Sequence, residues 1–190
     1  MSWTRSTPPE AASGALQRVY ERIRSLHPAG RVGHLWQACA ADPAALDALF
    51  TLVRAVLDEP ASLTHAQREA IAVVVSATNG CGYCVAHHGR RLATALGDEA
   101  LARAVARDYR EADLPARDRV LLDHAVALTC EPAERTEDDV ERLREYGFED
   151  AAVLKATEVA ALFNLVNRLV NGLGVRLEEG VEPWEFGAPR

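Results

Sequence analysis

Apolar side chains recur at three- and four-residue spacing along most of this chain, the pattern of amphipathic helices that share one core. The spacing predicts helices over 13–27, 34–40, 43–57, 65–78, 81–96, 98–107, 115–129, 137–146 and 151–173. Local signals bound them. Asp42-Pro43 opens the third, whose Leu46, Leu49, Phe50, Val53 and Leu57 share a face, and Asp58-Glu59-Pro60 closes it. Thr64 with Gln67 makes a capping box for 65–78, and Gly97 stops 81–96 as a left-handed cap. Pro115 opens a helix, Thr136 with Asp139 and then Asp150 are expected to cap the last two, and Gly147 separates those. Pro28, Gly30 and Gly33 break the chain after the first helix, and Asn79-Gly80 breaks it before Cys81. Between Ala70 and Ala77 the helix over 65–78 is apolar on nearly every side, which assigns it to the centre of a bundle. No strand-like alternation competes, so the predicted fold class is all-α, a multi-helix bundle.

Composition narrows the picture. At 190 residues the chain suits a single all-helical domain over 1–190, with its core over roughly 13–176 and the termini as extended tails that include Pro183 and Pro189. A net charge of −7 without a basic stripe argues against nucleic-acid partners. Residues 1–11 lack an apolar signal region, and apolar runs such as 71–75 are too short to span a bilayer, so no membrane partner is expected and the expected location is cytoplasmic.

Candidate chemistry concentrates in Glu69, Cys81-Gly82-Tyr83-Cys84, His87 and His88. In a reducing compartment a close cysteine pair points to redox or metal chemistry rather than to a structural staple. Residues on a helix turn by about 100° each, so Cys81, Cys84 and His88 fall in one arc, while His87 diverges from His88. Two arguments bear on which sulfur attacks. Unpaired amides at the helix start favour a thiolate at Cys81. His88, four residues after Cys84, can take the proton of that thiol. The balance falls on Cys84 as attacking thiolate and Cys81 as resolving partner. Glu69 has two readings: a surface ion pair near a helix start, or a buried carboxylate completing a Glu–His–Cys proton relay. Its helical neighbours are Arg68 and His65.

On these residues the chain resembles the alkylhydroperoxidase D-like proteins of the carboxymuconolactone decarboxylase superfamily. That family's pattern, a glutamate, eleven residues and then C-x-x-C-x-x-x-H, is met by Glu69, Cys81, Cys84 and His88. The phrases around Ala72 to Ser76, Pro115 to Asp118 and Phe163-Asn164 to Asn171 resemble its peroxidase-related branch. The resemblance implies an all-helical peroxidase and disulfide reductase without cofactor or metal. In that cycle Cys84 is oxidised by a hydroperoxide to a sulfenic acid, and Cys81 condenses with it. A dithiol, lipoyl-type or thioredoxin-like, then reduces the disulfide, and His88 and Glu69 relay protons. It also implies a homo-oligomer, whether dimer, trimer or hexamer. One departure is Tyr83, where better-known members can carry a histidine; a phenol is a poor base near neutral pH, and His87 is available to substitute. The decarboxylase branch lacks the cysteine pair, which argues against lactone decarboxylation.

Two alternatives stay open. Cys81, Cys84, His87 and His88 offer zinc-type donors, although structural zinc sites normally draw on two separated segments. The apolar helices alone could serve an oligomeric scaffold with idle thiols. Elsewhere the reading is bland. Cys39 and Cys130 are expected to be buried, inert small hydrophobes. His27, His34, His65 and His124 are expected to be packed or solvated, Arg117 and Arg119 solvated, Trp36 in the core or lining a pocket, and Trp3 and Trp184 at subunit contacts.

Overall fold

The capping box closes as its residues predict: the Gln67 amide donates to Thr64 Oγ1 at 3.2 Å and the Thr64 amide to Gln67 Oε1 at 3.0 Å. That fixes the start of the helix on which everything else packs. The computed structural model describes residues 2–27 and 29–187; Met1, Pro28 and Pro189 lie outside the described residues. In chain order the helices are α1 (Gly14–Leu26), α2 (His34–Ala38), α3 (Pro43–Leu57), α4 (His65–Thr78) and α5 (Gly82–Leu96). They continue with α6 (Glu99–Asp108), α7 (Ala116–Cys130), α8 (Glu137–Glu145) and α9 (Asp150–Leu173), plus short 3₁₀ turns at Pro9–Ala11 and Pro132–Glu134. No strand occurs among the described residues.

Helix α4 is the axle. Ile71 to Val75 are at most 1% exposed, and α4 packs on α3, α5, α6, α7 and α9. Burying a Val or Ile side chain stabilises by roughly 1.5–3 kcal/mol, so this run anchors the bundle. Helices α1 and α3 close a smaller cluster around Tyr20, Ile23, Leu46 and Phe50. Trp36 bridges the two cores, its ring edge-on to Phe50 with centroids 5.4 Å apart. Gly97, at φ +67°, ends α5 in the left-handed conformation that the sequence calls for.

Several local readings need correction. Asp150 is the first residue of α9 rather than its cap; Glu149 holds the N-cap position, with no side-chain cap bond. Helix α2 ends at Ala38, two residues short of the predicted end. Cys130, the last residue of α7, is exposed, and Cys39 is half-buried. Arg119 is a structural donor rather than a solvated one: its guanidinium bonds the carbonyls of Ala112 and Leu114 in the turn after α6. Arg117 lies 4.4 Å over the Phe148 ring.

The C-terminal segment has no regular secondary structure, yet it is packed. Trp184 is 5% exposed and lies against Gly89 of α5, with the Arg103 guanidinium 4.5 Å above its ring. The Gly187 amide donates to the Ala106 carbonyl, and at the other end the Trp3 amide donates to the Leu173 carbonyl. Segment 175–187 thus straps the outer face of α5. A Cβ at Gly89 would come within 2.5 Å of the Trp184 ring. Alanine gains about 1 kcal/mol of helix propensity there, but overpacking typically costs about 1–3 kcal/mol. In a Trp3→Phe, Trp36→Phe background, which leaves Trp184 as the sole tryptophan, Gly89→Ala is expected to lower the urea midpoint and to red-shift the Trp184 emission. Raised stability with unshifted emission would show that the strap does not press on α5.

Candidate active site

The turn between α4 and α5 delivers the two cysteines. Asn79 caps the end of α4, Gly80 takes φ +66°, and the Cys81 amide returns to the Ser76 carbonyl at 2.8 Å. This folds the chain back so that Cys81 is the N-cap of α5 and Cys84 sits in its first turn. Both are free thiols with their sulfurs 2.8 Å apart, Cys81 0% and Cys84 2% exposed. Sulfurs so placed reach covalent distance, about 2.05 Å, with a small movement of either side chain.

One turn after Cys84, His88 donates or shares its Nδ1 with Glu69 Oε2 at 2.7 Å. The surface reading of Glu69 fails, since its side chain is fully buried. Its second oxygen, Oε1, has Arg91 Nε at 2.7 Å and His65 Nε2 at 3.6 Å, the arginine contact being an ion pair rather than an aligned hydrogen bond. Arg91 also binds Asp58, which Arg54 holds at 2.7 Å. The adjacent Arg68 does not serve Glu69; it turns to the Glu59 carbonyl.

His87 faces elsewhere. Its Nε2 lies 2.8 Å from Glu178 Oε2, while Glu178 Oε1 accepts from the Tyr83 hydroxyl at 2.9 Å and from the His34 amide at 2.6 Å. Tyr83, between the two cysteines, is therefore held by the C-terminal strap. With His87 and His88 each engaged by a carboxylate, the four donors of the zinc reading do not converge, and no group able to hold a metal ion is found among the described residues.

On the opposite side, α9 presents Asn164, Asn167 and Asn171, at i, i+3 and i+7 on one face. Asn167 and Ser76 of α4 are fully buried, and the Asn167 amide nitrogen donates to Ser76 Oγ at 3.0 Å. Asn79 donates to Asn167 Oδ1 at 3.0 Å and to Asn164 Oδ1 at 3.1 Å.

This arrangement has relatives. A profile of the carboxymuconolactone decarboxylase family matches residues 43–107, the span that contains Glu69, both cysteines and His88. The fold is similar to the crystal structure of a peroxidase-related protein with the alkylhydroperoxidase AhpD core from Ralstonia eutropha JMP134, at 31% identity and TM-score 0.86, over 94% of this chain and 93% of that one. The chain belongs to the alkylhydroperoxidase D-like proteins of the carboxymuconolactone decarboxylase superfamily. A peroxidase-related protein from Silicibacter sp. TM1040 is also 31% identical, with TM-score 0.80, over 94% of this chain and 96% of that one. A debrominase in complex with 2,3,4-tribromopyrrole shares the fold at 16% identity and TM-score 0.78, over 94% of this chain and 95% of that one. A search of curated proteins found no match.

The electrostatics of this alkylhydroperoxidase D-like site follow from burial and partners. Burial alone would raise the Glu69 carboxyl, but the charge and hydrogen bond of His88, then Arg91 and His65, hold it below the usual range. Burial lowers His88 despite Glu69, so the resting pair is a carboxylate with a neutral imidazole. The two thiols diverge. Cys81 is held below the ordinary cysteine value, first by its hydrogen bond with Cys84 and further by first-turn amides and Asn167. Burial, then the hydrogen bond and charge of Cys81, push Cys84 well above that value, against Asn167 and Ser76. Burial and Glu178 drive the Tyr83 hydroxyl well above 10, so it stays protonated, donating to Glu178 while its oxygen accepts from the Leu35 amide at 3.4 Å.

The sequence reading thus placed Glu69, Cys81, Cys84 and His88 in one neighbourhood, with Cys84 and His88 a single turn apart. It missed Arg91, Asp58, Ser76, Asn167 and Glu178. The spacing of the three α9 asparagines on an apolar helix was the available signal for Asn167; Glu178, in an irregular segment, carried none.

Burial would raise the Glu178 carboxyl too, yet the hydrogen bond of His87 and the His34 amide bring it down to about 2. A depressed carboxylate contributes stability above its unfolded value near 4.5, and that contribution is lost as pH falls toward the folded value. Glu178→Gln is therefore expected to lower the urea midpoint at pH 6, with the gap to wild type narrowing steadily below pH 4.5. A gap independent of pH between 6 and 3 would contradict an ionised clasp.

Proposed function

We propose that this chain is a thiol-dependent peroxidase that reduces organic hydroperoxides through a Cys81–Cys84 dithiol/disulfide cycle, with Glu69 and His88 as its proton relay. The observation that carries the reading is the pair of buried free thiols, 2.8 Å apart, with a buried carboxylate–imidazole pair one helical turn beyond. Membership of a family with peroxidase-related members supports it.

With Nδ1–H donated to Glu69, His88 Nε2 accepts the Cys84 proton, and the carboxylate stabilises the imidazolium that forms. The Cys84 thiolate attacks the outer peroxide oxygen, the O–O bond breaks, and the departing alkoxide takes the proton from His88 to leave as alcohol. Cys81 then attacks the sulfenic sulfur; the S–O bond breaks, and hydroxide combines with the Cys81 proton to leave as water. A dithiol reduces the resulting disulfide and is itself oxidised. A lipoyl-type or thioredoxin-like donor in a reducing compartment such as the cytoplasm fits this demand. Leu154 and Leu165, 59% and 46% exposed on α9, offer apolar surface for a homo-oligomer.

The lower acidity threshold of Cys81 favours a second assignment in which Cys81 attacks and Cys84 resolves. Peroxide consumption measured with a panel of alkyl hydroperoxides and dithiol donors tests the function. Turnover is expected with at least one pairing, lost in Cys81→Ser and Cys84→Ser, and about 10²-fold slower in Glu69→Gln. Dimedone is expected to trap a sulfenic acid on Cys84 in Cys81→Ser; an adduct found solely on Cys81 in Cys84→Ser would reverse the roles. If no pairing turns over, the peroxidase reading is wrong.

A further inference from the structure

We propose that Asn167 and Ser76 form a neutral donor site that holds the negative charge of the dithiol, with Asn79 locking the orientation of the Asn167 amide. This deepens the peroxidase reading and rests on its premise that the dithiol ionises to react.

The difficulty the site must solve is electrostatic. The sulfurs are at most 2% exposed, so a thiolate there forgoes water. The nearby ionic pair offers no positive charge, because Glu69 is ionised while His88 rests neutral. Arg91 is engaged by Glu69 and Asp58. The titratable and charged groups around the dithiol are Glu69 from α4, Tyr83 and His88 from α5, Arg168 from α9, held on Asn164, and Glu178 from the strap. A buried thiolate must then be held by oriented neutral dipoles, as a buried oxyanion is.

The hydrogen-bond polarity of the asparagine chain is forced, link by link. Asn164 Nδ2 donates to the Ala160 carbonyl at 3.0 Å, a group that can only accept, and Asn164 Oδ1 receives Arg168 at 2.8 Å, a group that can only donate. Asn164 therefore turns its oxygen toward Asn79. Asn79 must answer with Nδ2, which it gives both to Asn164 and, at 3.0 Å, to Asn167. Asn167 accordingly spends its oxygen on Asn79, and its amide hydrogens are fixed on the side of Ser76. One is given to Ser76 Oγ at 3.0 Å, which leaves the Ser76 hydroxyl hydrogen and the second amide hydrogen uncommitted. Both side chains bear on the thiols in the sense this requires: Asn167 favours the ionised form of Cys81 and of Cys84, and Ser76 that of Cys84. The Ser76 carbonyl meanwhile holds the Cys81 amide at 2.8 Å, which fixes the distance between donors and sulfurs. Donors aligned in series polarise one another, and the series ends at the thiol.

The test is the pH dependence of iodoacetamide alkylation of the reduced protein, which reads thiolate fraction directly. Asn167→Leu keeps the volume and removes both donors, and Ser76→Ala removes one. Each is expected to raise the apparent pKa of the reactive thiol by about one unit, slowing alkylation roughly tenfold at pH values below it. Circular dichroism establishes folding. Should the leucine variant fail to fold, Asn167→Ala removes the donors without adding a charge and is expected to give the same rise. A folded variant at position 167 whose alkylation curve superimposes on wild type overturns the proposal. Because alkylation needs no peroxide, a raised pKa in a protein that turns over no peroxide would keep the donor site and sink the peroxidase reading; an unchanged curve with turnover intact would do the reverse.

Discussion

A carboxylate set into the most apolar helix of a bundle is tolerated only if its charge is met on the spot, because an isolated buried ion costs several kcal/mol even after relaxation. Glu69 is that group: the Arg91 guanidinium meets its charge at 2.7 Å, and the hydrogen bond with His88 is the contact on which the site depends. It ties α4 to α5, orients the imidazole and selects its tautomer. Arg91 and Asp58 extend the balance outward to the end of α3, where Arg54 meets solvent. Removing either partner would leave the other charged or polar and dry. The interaction therefore specifies the register of α5 on α4 as well as the chemistry beside it.

That pairing constrains the thiols in turn. An imidazole kept neutral by burial serves as a proton acceptor but supplies no standing positive charge, in contrast with a thiolate–imidazolium ion pair. The negative charge of a reacting dithiol must then come to rest against helix-start amides and side-chain dipoles. The α4–α5 turn supplies the first and the α9 asparagine face the second, which explains why a polar stripe crosses an otherwise apolar contact between α9 and α4. The price of burying those amides is a fully connected network, and the network present is connected through to the Ala160 carbonyl and Arg168.

Most of the fold was legible because it is written locally. Capping boxes, a left-handed glycine and unbroken apolar periodicity locate the helices to within a residue or two, α2 stopping two residues early and α9 starting one residue early, at Asp150. The motif residues were legible for a similar reason: Cys81, Cys84 and His88 lie on one helix, so helical rotation alone brings them together. What stayed hidden arises between segments far apart in sequence. Arg91 displaces Arg68 as the partner of Glu69, since a bundle contact decides between them. Glu178 reaches Tyr83 from a stretch with no periodicity, and Trp184 finds Gly89 rather than a subunit contact. Cys130 is exposed at the last position of α7, where the apolar stretch before it gives no sign of which way the helix end faces.

The adjacent histidines show how one step of helical rotation separates two tasks. His88 turns inward to a carboxylate that is fully buried; His87, about 100° round the helix, turns outward to Glu178, whose side chain is 19% exposed. Both are carboxylate–imidazole pairs, yet their surroundings differ. The inner one is dry, fixed by two helices and next to the thiol turn, so a proton gained or lost there changes the energy of the reacting sulfur. The outer one is partly solvated, where water and counterions weaken the same charges. Its carboxylate also holds the Tyr83 hydroxyl and the His34 amide, tying the strap and the start of α2 to the turn between the cysteines. A pair so placed is suited to keeping Tyr83, and with it the cysteine turn, in position, while the proposed relay assigns proton transfer to the inner pair. In the proposed cycle the twin imidazoles thus divide into a chemical member and a mechanical one, and burial separates them.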